Sequence, residues 1–95
     1  MNFAQKMRLI WIDSRLECGP LNRADIMRAF EISHAQAALD LKAYRTEHQS
    51  QIEYDTREKH YRRPHKAKPA FPDHLRLQVS GTIRAMHIYK ETTHV

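Results

Sequence analysis

The sequence predicts a mainly α-helical chain with one small β-hairpin, and three observations lead there. Apolar residues recur at helical spacing through the first 45 positions, interrupted by "CGP" at 18–20 and by a polar-capped break at 31–33. Two short alternating segments, around Ile52–Tyr54 and His60–Arg62, flank the polar run "DTREK". Three of the four prolines fall between 63 and 74, a stretch that can be neither regular helix nor central strand.

Taken in order, residues 2–18 form the first helix. Leu9, Ile12 and Leu16 make one apolar stripe, and Phe3, Met7, Ile10 and Trp11 make a second on another side. One small domain seldom needs both, so the second stripe is assigned to a dimer interface; the alternative is that the C-terminal segment covers it. Gly19 suits a left-handed helix end and Pro20 cannot continue the helix. Asn22 then caps a short second helix, Arg23–Phe30, with Asp25 at its positive start and Ile26 and Phe30 as core.

Ser33 and Gln36 have capping-box spacing, so the third helix starts at His34. At about 100° per residue, Ala37, Leu41 and Tyr44 share one side, and Ala35, Ala38, Leu39 and Lys42 the other. Two helices joined by a tight turn, the second with an unfilled face, are a helix-turn-helix. With the hairpin after them they make a winged helix. The expected fold is therefore a winged helix-turn-helix of three helices plus a wing, with a C-terminal extension. Its parts are a DNA-binding domain at 1–62, a basic Pro-rich connector at 63–74 and an extension at 75–95 used in dimerisation. Residues 75–90 alternate as a strand would and also nearly fit a helix; a helix or mixed segment is the favoured reading.

Charge is unevenly placed. Residues 1–55 carry seven Lys/Arg and eight Asp/Glu, whereas residues 56–95 carry nine and three. The surplus of six in the second half suits a polyanion. Cys18 is alone, which fits a reducing cytoplasm, and no membrane span or signal segment is evident. No zinc-type spacing of histidines and no nucleophile–base arrangement appears, so neither a metal, a cofactor, a small-molecule ligand nor an enzyme activity is expected.

"GPLNRADIMRAFEISHAQAALDLKAY", followed by "IEYDTREKHY" and "FP", resembles the N-terminal winged helix-turn-helix of WYL-domain bacterial transcriptional regulators, in particular repressors associated with phage-defence islands. The resemblance rests on Asn22–Arg23, Phe30, Ser33, Gln36–Ala37, Asp40–Leu41 and Tyr44, then Tyr54–Asp55, Lys59 and Tyr61, and spans about residues 8–72. Two departures stand out. The sequence has Ala38 where the family pattern has serine, and it has no WYL sensor domain, as expected either of a stand-alone regulator or of the DNA-binding module of a longer one.

The implied function is a cytoplasmic, homodimeric repressor that reads an inverted repeat in double-stranded DNA, with helix 33–47 in the major groove. Small residues let a helix approach base edges in a groove about 12 Å wide. The expected base-reading set is therefore His34, Ala35, Gln36 and Ala38, with Gln36 pairing bidentately to adenine. Ser33, Lys42, Arg45, Arg57, Lys59, Arg62, Arg63, Lys66 and Lys68 are the expected backbone contacts, Arg57 at the wing tip also reaching a minor groove. Asp40 is expected to pair with Arg15 or Arg23. Two other classes fit the same residues: a protein–protein adaptor using Phe3, Met7 and Ile10, and an RNA binder stacking bases on Tyr61 and Phe71.

Overall fold

A computed structural model describes residues 2–92. The order is α1 (Phe3–Leu16), α2 (Arg23–Phe30), α3 (His34–Glu47), a 3-10 turn (Gln49–Gln51), β1 (Glu53–Asp55), β2 (His60–Arg62) and α4 (Asp73–Thr92). It is the expected winged helix-turn-helix, with a two-stranded antiparallel wing and a fourth helix. Met1 and the last three positions of the expected 75–95 extension lie outside the described residues.

Local chemistry sets the helix limits. Asn2 accepts from Gln5 N to start α1, and Gly19, at φ +143°, provides a turn conformation that side chains disfavour. Helix α1 ends at Leu16, two residues before the expected limit, because the chain already turns at Glu17 and Cys18. Asn22 and Asp25 form a reciprocal capping box at α2. Ser33 accepts from Gln36 N at 3.1 Å, but the Gln36 side chain does not reach back, so only half of the expected box exists.

The core gathers Leu9, Ile12 and Leu16 of α1, Leu21, Ile26 of α2, Ala37, Leu41 and Tyr44 of α3, and Ile52. The helical residues sit on the faces their periodicity predicted, and Leu21 joins them from the loop between α1 and α2. The ambiguous segment is a helix, and it lies against α1 and α2. Val79 is its buried residue. Ile10 is buried as well, and Trp11 meets Phe30 edge-on at 5.5 Å, so half of the stripe assigned to a dimer is used within the chain. Phe3 remains 82% exposed and Met7 half-buried.

The wing is a third layer. Leu21 and Tyr61 exchange backbone hydrogen bonds of 2.9 and 2.8 Å, attaching β2 to the loop between α1 and α2. Residues 63–72 are irregular as the prolines require, yet they are tied down. Ala70 N and Phe71 N both donate to the Asp13 carboxylate at 2.9 Å, and Phe71 packs against the core and edge-on to His48.

That carboxylate is fully buried and also accepts from Tyr44 Oη at 2.5 Å and Arg63 Nη2 at 3.0 Å. Burial pushes its pKa up, but the hydrogen bonds from Ala70, Tyr44 and Phe71 and the Arg63 charge outweigh this and hold it below the ordinary value. Burial, with the Asp13 bond, raises the Tyr44 hydroxyl well above its usual pKa and keeps it a donor.

Candidate nucleic-acid interface

Helix α2 ends with Glu31 in the left-handed region (φ 53°), and its N–H closes on Met27 O. Ile32 and Ser33 complete a three-residue turn into α3. The turn sets the two helices as a helix-turn-helix and leaves one side of α3 bare. His34, Ala35, Leu39, Lys42 and Arg45 are exposed there, while Ala37, Asp40, Leu41 and Tyr44 are buried opposite.

Asp40 is fully buried, which the sequence did not indicate, and its partner is neither Arg15 nor Arg23. It accepts from Arg8 Nε at 2.6 Å and Nη2 at 3.3 Å, from Gln5 Nε2 at 3.3 Å and from Gln36 Nε2 at 3.0 Å. Arg15 instead lies 3.9 Å from Asp25. A buried carboxylate needs such partners, because leaving any lone pair dry is costly. Gln36 is thus half-buried and bonded inward, whereas the sequence placed its amide on a base edge. Replacing Gln36 with alanine removes one donor to Asp40 and should cost about 1 kcal/mol of folding stability, read as a lower urea midpoint.

The other expected site residues divide by surroundings. Ala35 is open and Ala38 half-buried at the edge of the bare face. His34 Nε2 lies 2.9 Å from Arg23 Nη1. Arg45 sits over the Tyr61 ring at 5.5 Å, and Tyr61 meets Tyr54 edge-on at 4.8 Å. The Arg45–Tyr61 contact joins the wing to α3. A cleft opens between them, lined by Arg23, His34, Arg45, Tyr54, Lys59 and Tyr61. Arg23 is a cation in this cleft that the backbone-contact set omitted; its place at the start of α2 was the available signal.

At the wing tip, Asp55 Oδ1 accepts from Arg57 N and Glu58 N at 2.9 and 3.0 Å. The Glu58 bond, with lesser help from Arg57 and Arg62, holds the Asp55 carboxyl below its usual pKa. This local turn projects Arg57 and Lys59 outward. Arg62 folds back onto Asp55 at 3.0 Å and Glu53 at 3.3 Å. Lys66 and Lys68 are exposed on the connector.

Arg63, expected among the exposed cations, does not join them. Its side chain is only 9% exposed and turns away from solvent. It donates to Asp13 O and Oδ1, Gln51 O, Tyr44 Oη and Glu17, at 2.7 to 3.2 Å. A cation that satisfies five internal acceptors is a brace between α1, α3 and the wing exit, not a phosphate contact. Among the described residues, no three His, Cys, Asp or Glu side chains gather closely enough to hold a metal ion, and no helix is long and apolar enough to cross a membrane.

Comparison with known proteins agrees with this architecture. Residues 2–87 match the BrxR transcriptional regulator winged helix-turn-helix domain. The chain is also similar to two proteins named DNA-binding transcriptional repressor CapW. It is 41% identical over 71 residues to that of Pseudomonas aeruginosa, covering 74% of this chain and 24% of the relative. It is 39% identical over 70 residues to that of Stenotrophomonas maltophilia, covering 73% and 23%. The matched segment thus spans about a quarter of the length of these relatives.

Proposed function

The chain belongs to the BrxR transcriptional regulator winged helix-turn-helix family, and from that premise we propose that it is a sequence-specific double-stranded DNA-binding repressor. The observation that carries this is the bare face of α3 set beside a cationic cleft and wing. Helix α3 enters the major groove, and Lys42, Arg45 and Arg23 meet phosphates along its rim. Arg57 and Lys59 extend the grip from the wing, and Lys66 and Lys68 add charge further along the connector. The N-terminus of α3 at Ser33 offers backbone donors to a further phosphate. Bound at an operator, the protein represses by occupying it, in keeping with the names of its relatives.

Two copies reading an inverted repeat would set their recognition helices about 34 Å apart. The surfaces that support a homodimer are Phe3 and Met7 on α1 and the outward side of α4, where Leu77 and Ile88 are exposed. In this scheme, residues 2–62 are the DNA-binding unit, 63–72 a fixed strap rather than a loose connector, and α4 the dimerisation element. Sedimentation of the chain with a palindromic duplex should give a complex of two protomers per duplex; one per duplex would argue against the repeat.

The RNA reading is the weaker one, because Phe71 packs on the core and Tyr61 is covered by Arg45 and Tyr54. The deciding experiment measures affinity for a random duplex, a single-stranded RNA and a selected palindrome over a salt series. With about four phosphates neutralised per chain, the log–log slope on duplex DNA should be roughly −3.5 per bound chain. A slope near −1, or a preference for the RNA, would sink the proposal.

A further inference from the structure

One side chain on the bare face of α3 is neither small nor charged. Leu39 is 55% exposed, the only large hydrophobic of α3 in that state among the described residues. It lies four positions after Ala35, one after Ala38 and three before Lys42, so these four share an arc of about 100° opposite the buried face. The polar side chains nearest this arc are bonded elsewhere: Gln36 to Asp40, and His34 to Arg23. What α3 offers along this line is therefore a short ridge of methyl groups.

The ridge is bordered by cations. Lys42 and Arg45 continue it along α3, and Arg23 and Lys59 stand across the cleft beside it. An occupant must be anionic at its rim and carry an apolar group at its centre. Major-groove DNA has that pattern where it contains thymine, whose 5-methyl is the one apolar group on a base edge there. An apolar protein surface would match the ridge but leave the surrounding cations unpaired.

Resting on the DNA-binding reading above, we propose that Leu39, with the methyls of Ala35 and Ala38, is a specificity-determining contact that reads thymine through its 5-methyl group. Gln36 then acts as a positioning residue, through its bond to Asp40, and does not hydrogen-bond adenine. Specificity of this kind is for the methyl itself, so a uracil at the same position, identical in hydrogen bonding, is a poorer target.

The test uses the whole chain and a duplex that it selects from a randomised pool. Each thymine is replaced in turn by deoxyuridine. At one or two positions per half-site the affinity should fall about fourfold, the loss expected for one methyl no longer buried. In Leu39→Ala the same replacements should change affinity less than twofold, while the variant melts with the wild type because the side chain is exposed. Uracil sensitivity that is absent, or that persists unchanged in Leu39→Ala, overturns the inference and leaves DNA binding intact. Failure to select any duplex, with no affinity for duplex DNA, overturns the inference together with the reading on which it rests.

Discussion

Asp13→Ala is expected to lower folding stability by about 3–5 kcal/mol, the cost of deleting one member of a buried, hydrogen-bonded ion pair. The variant takes one carboxylate partner from Arg63, which keeps Glu17, Gln51 O and Tyr44 Oη, and removes the acceptor for Tyr44 Oη and for the backbone N–H groups of Ala70 and Phe71. A domain of this size holds on the order of 5–15 kcal/mol in all, so the loss is a large share of its stability. Urea unfolding followed by circular dichroism measures it directly. Asp13→Asn keeps an acceptor oxygen and should fall between the wild type and the alanine variant; equal stability of all three would refute the role given to this carboxylate.

The same group predicts an acid limb. Its folded pKa lies below the ordinary carboxylate value, held there against burial by the hydrogen bonds from Ala70, Tyr44 and Phe71 and by Arg63. Its contribution is therefore complete above about pH 5 and is lost as pH falls through the unfolded and then the folded pKa. Asp55 and Glu31, whose carboxyls are also held low, add to that limb. Comparing wild type with Asp13→Asn isolates the buried term: the variant should lose less stability between about pH 5 and pH 3.

The second large effect is on DNA. The triple variant Lys42→Gln, Arg57→Gln, Lys59→Gln removes exposed cations from the recognition helix and the wing. At about −0.9 per phosphate contact, losing three contacts should make the slope per bound chain shallower by about 2.7, and affinity per chain at 0.1 M salt should drop on the order of 500-fold. Because phosphate contacts carry no sequence information, selected and random duplexes should weaken together. Arg62→Gln is the internal comparison. Its guanidinium is held by Glu53 and Asp55, so its removal should change the slope by less than one contact's worth. A triple variant with wild-type slope would place the DNA elsewhere on the molecule.

Much of the fold was legible because helix starts and faces are local properties. Asn22 with Asp25, and Ser33 ahead of His34, mark their helices through bonds three residues long. Ala37, Leu41 and Tyr44 declare the buried side of α3 by spacing alone. The wing was readable for the same reason, since Asp55 makes its own turn. The site was legible only in outline: the bare side of α3 was evident, but not which polar groups on it are available.

Four assignments needed the folded chain. Arg63 looked like its basic neighbours, yet it reaches Asp13, fifty residues away. Gln36 and Asp40 were judged by their place on the helix, while Arg8, 32 positions upstream, decides what they bond. Residues 75–90 carried both periodicities, and packing on α1 and α2 selects the helix. Ile10 is buried, and Trp11 is used within the chain against Phe30 of α2.

By itself, the sequence determined where the first three helices start, which side of α2 and α3 is apolar and that a basic hairpin follows the helix-turn-helix. Those features rest on interactions within three or four residues. Tertiary structure alone decided which charges are spent inside and which face outward, because a salt bridge depends on distance in space, and nothing in a residue's neighbours along the chain records that distance. The recognition helix shows both halves of this. Its bare face, Leu39 included, was written in its periodicity, but the withdrawal of Gln36 came with the buried Asp40 that α1 meets through Arg8 and Gln5.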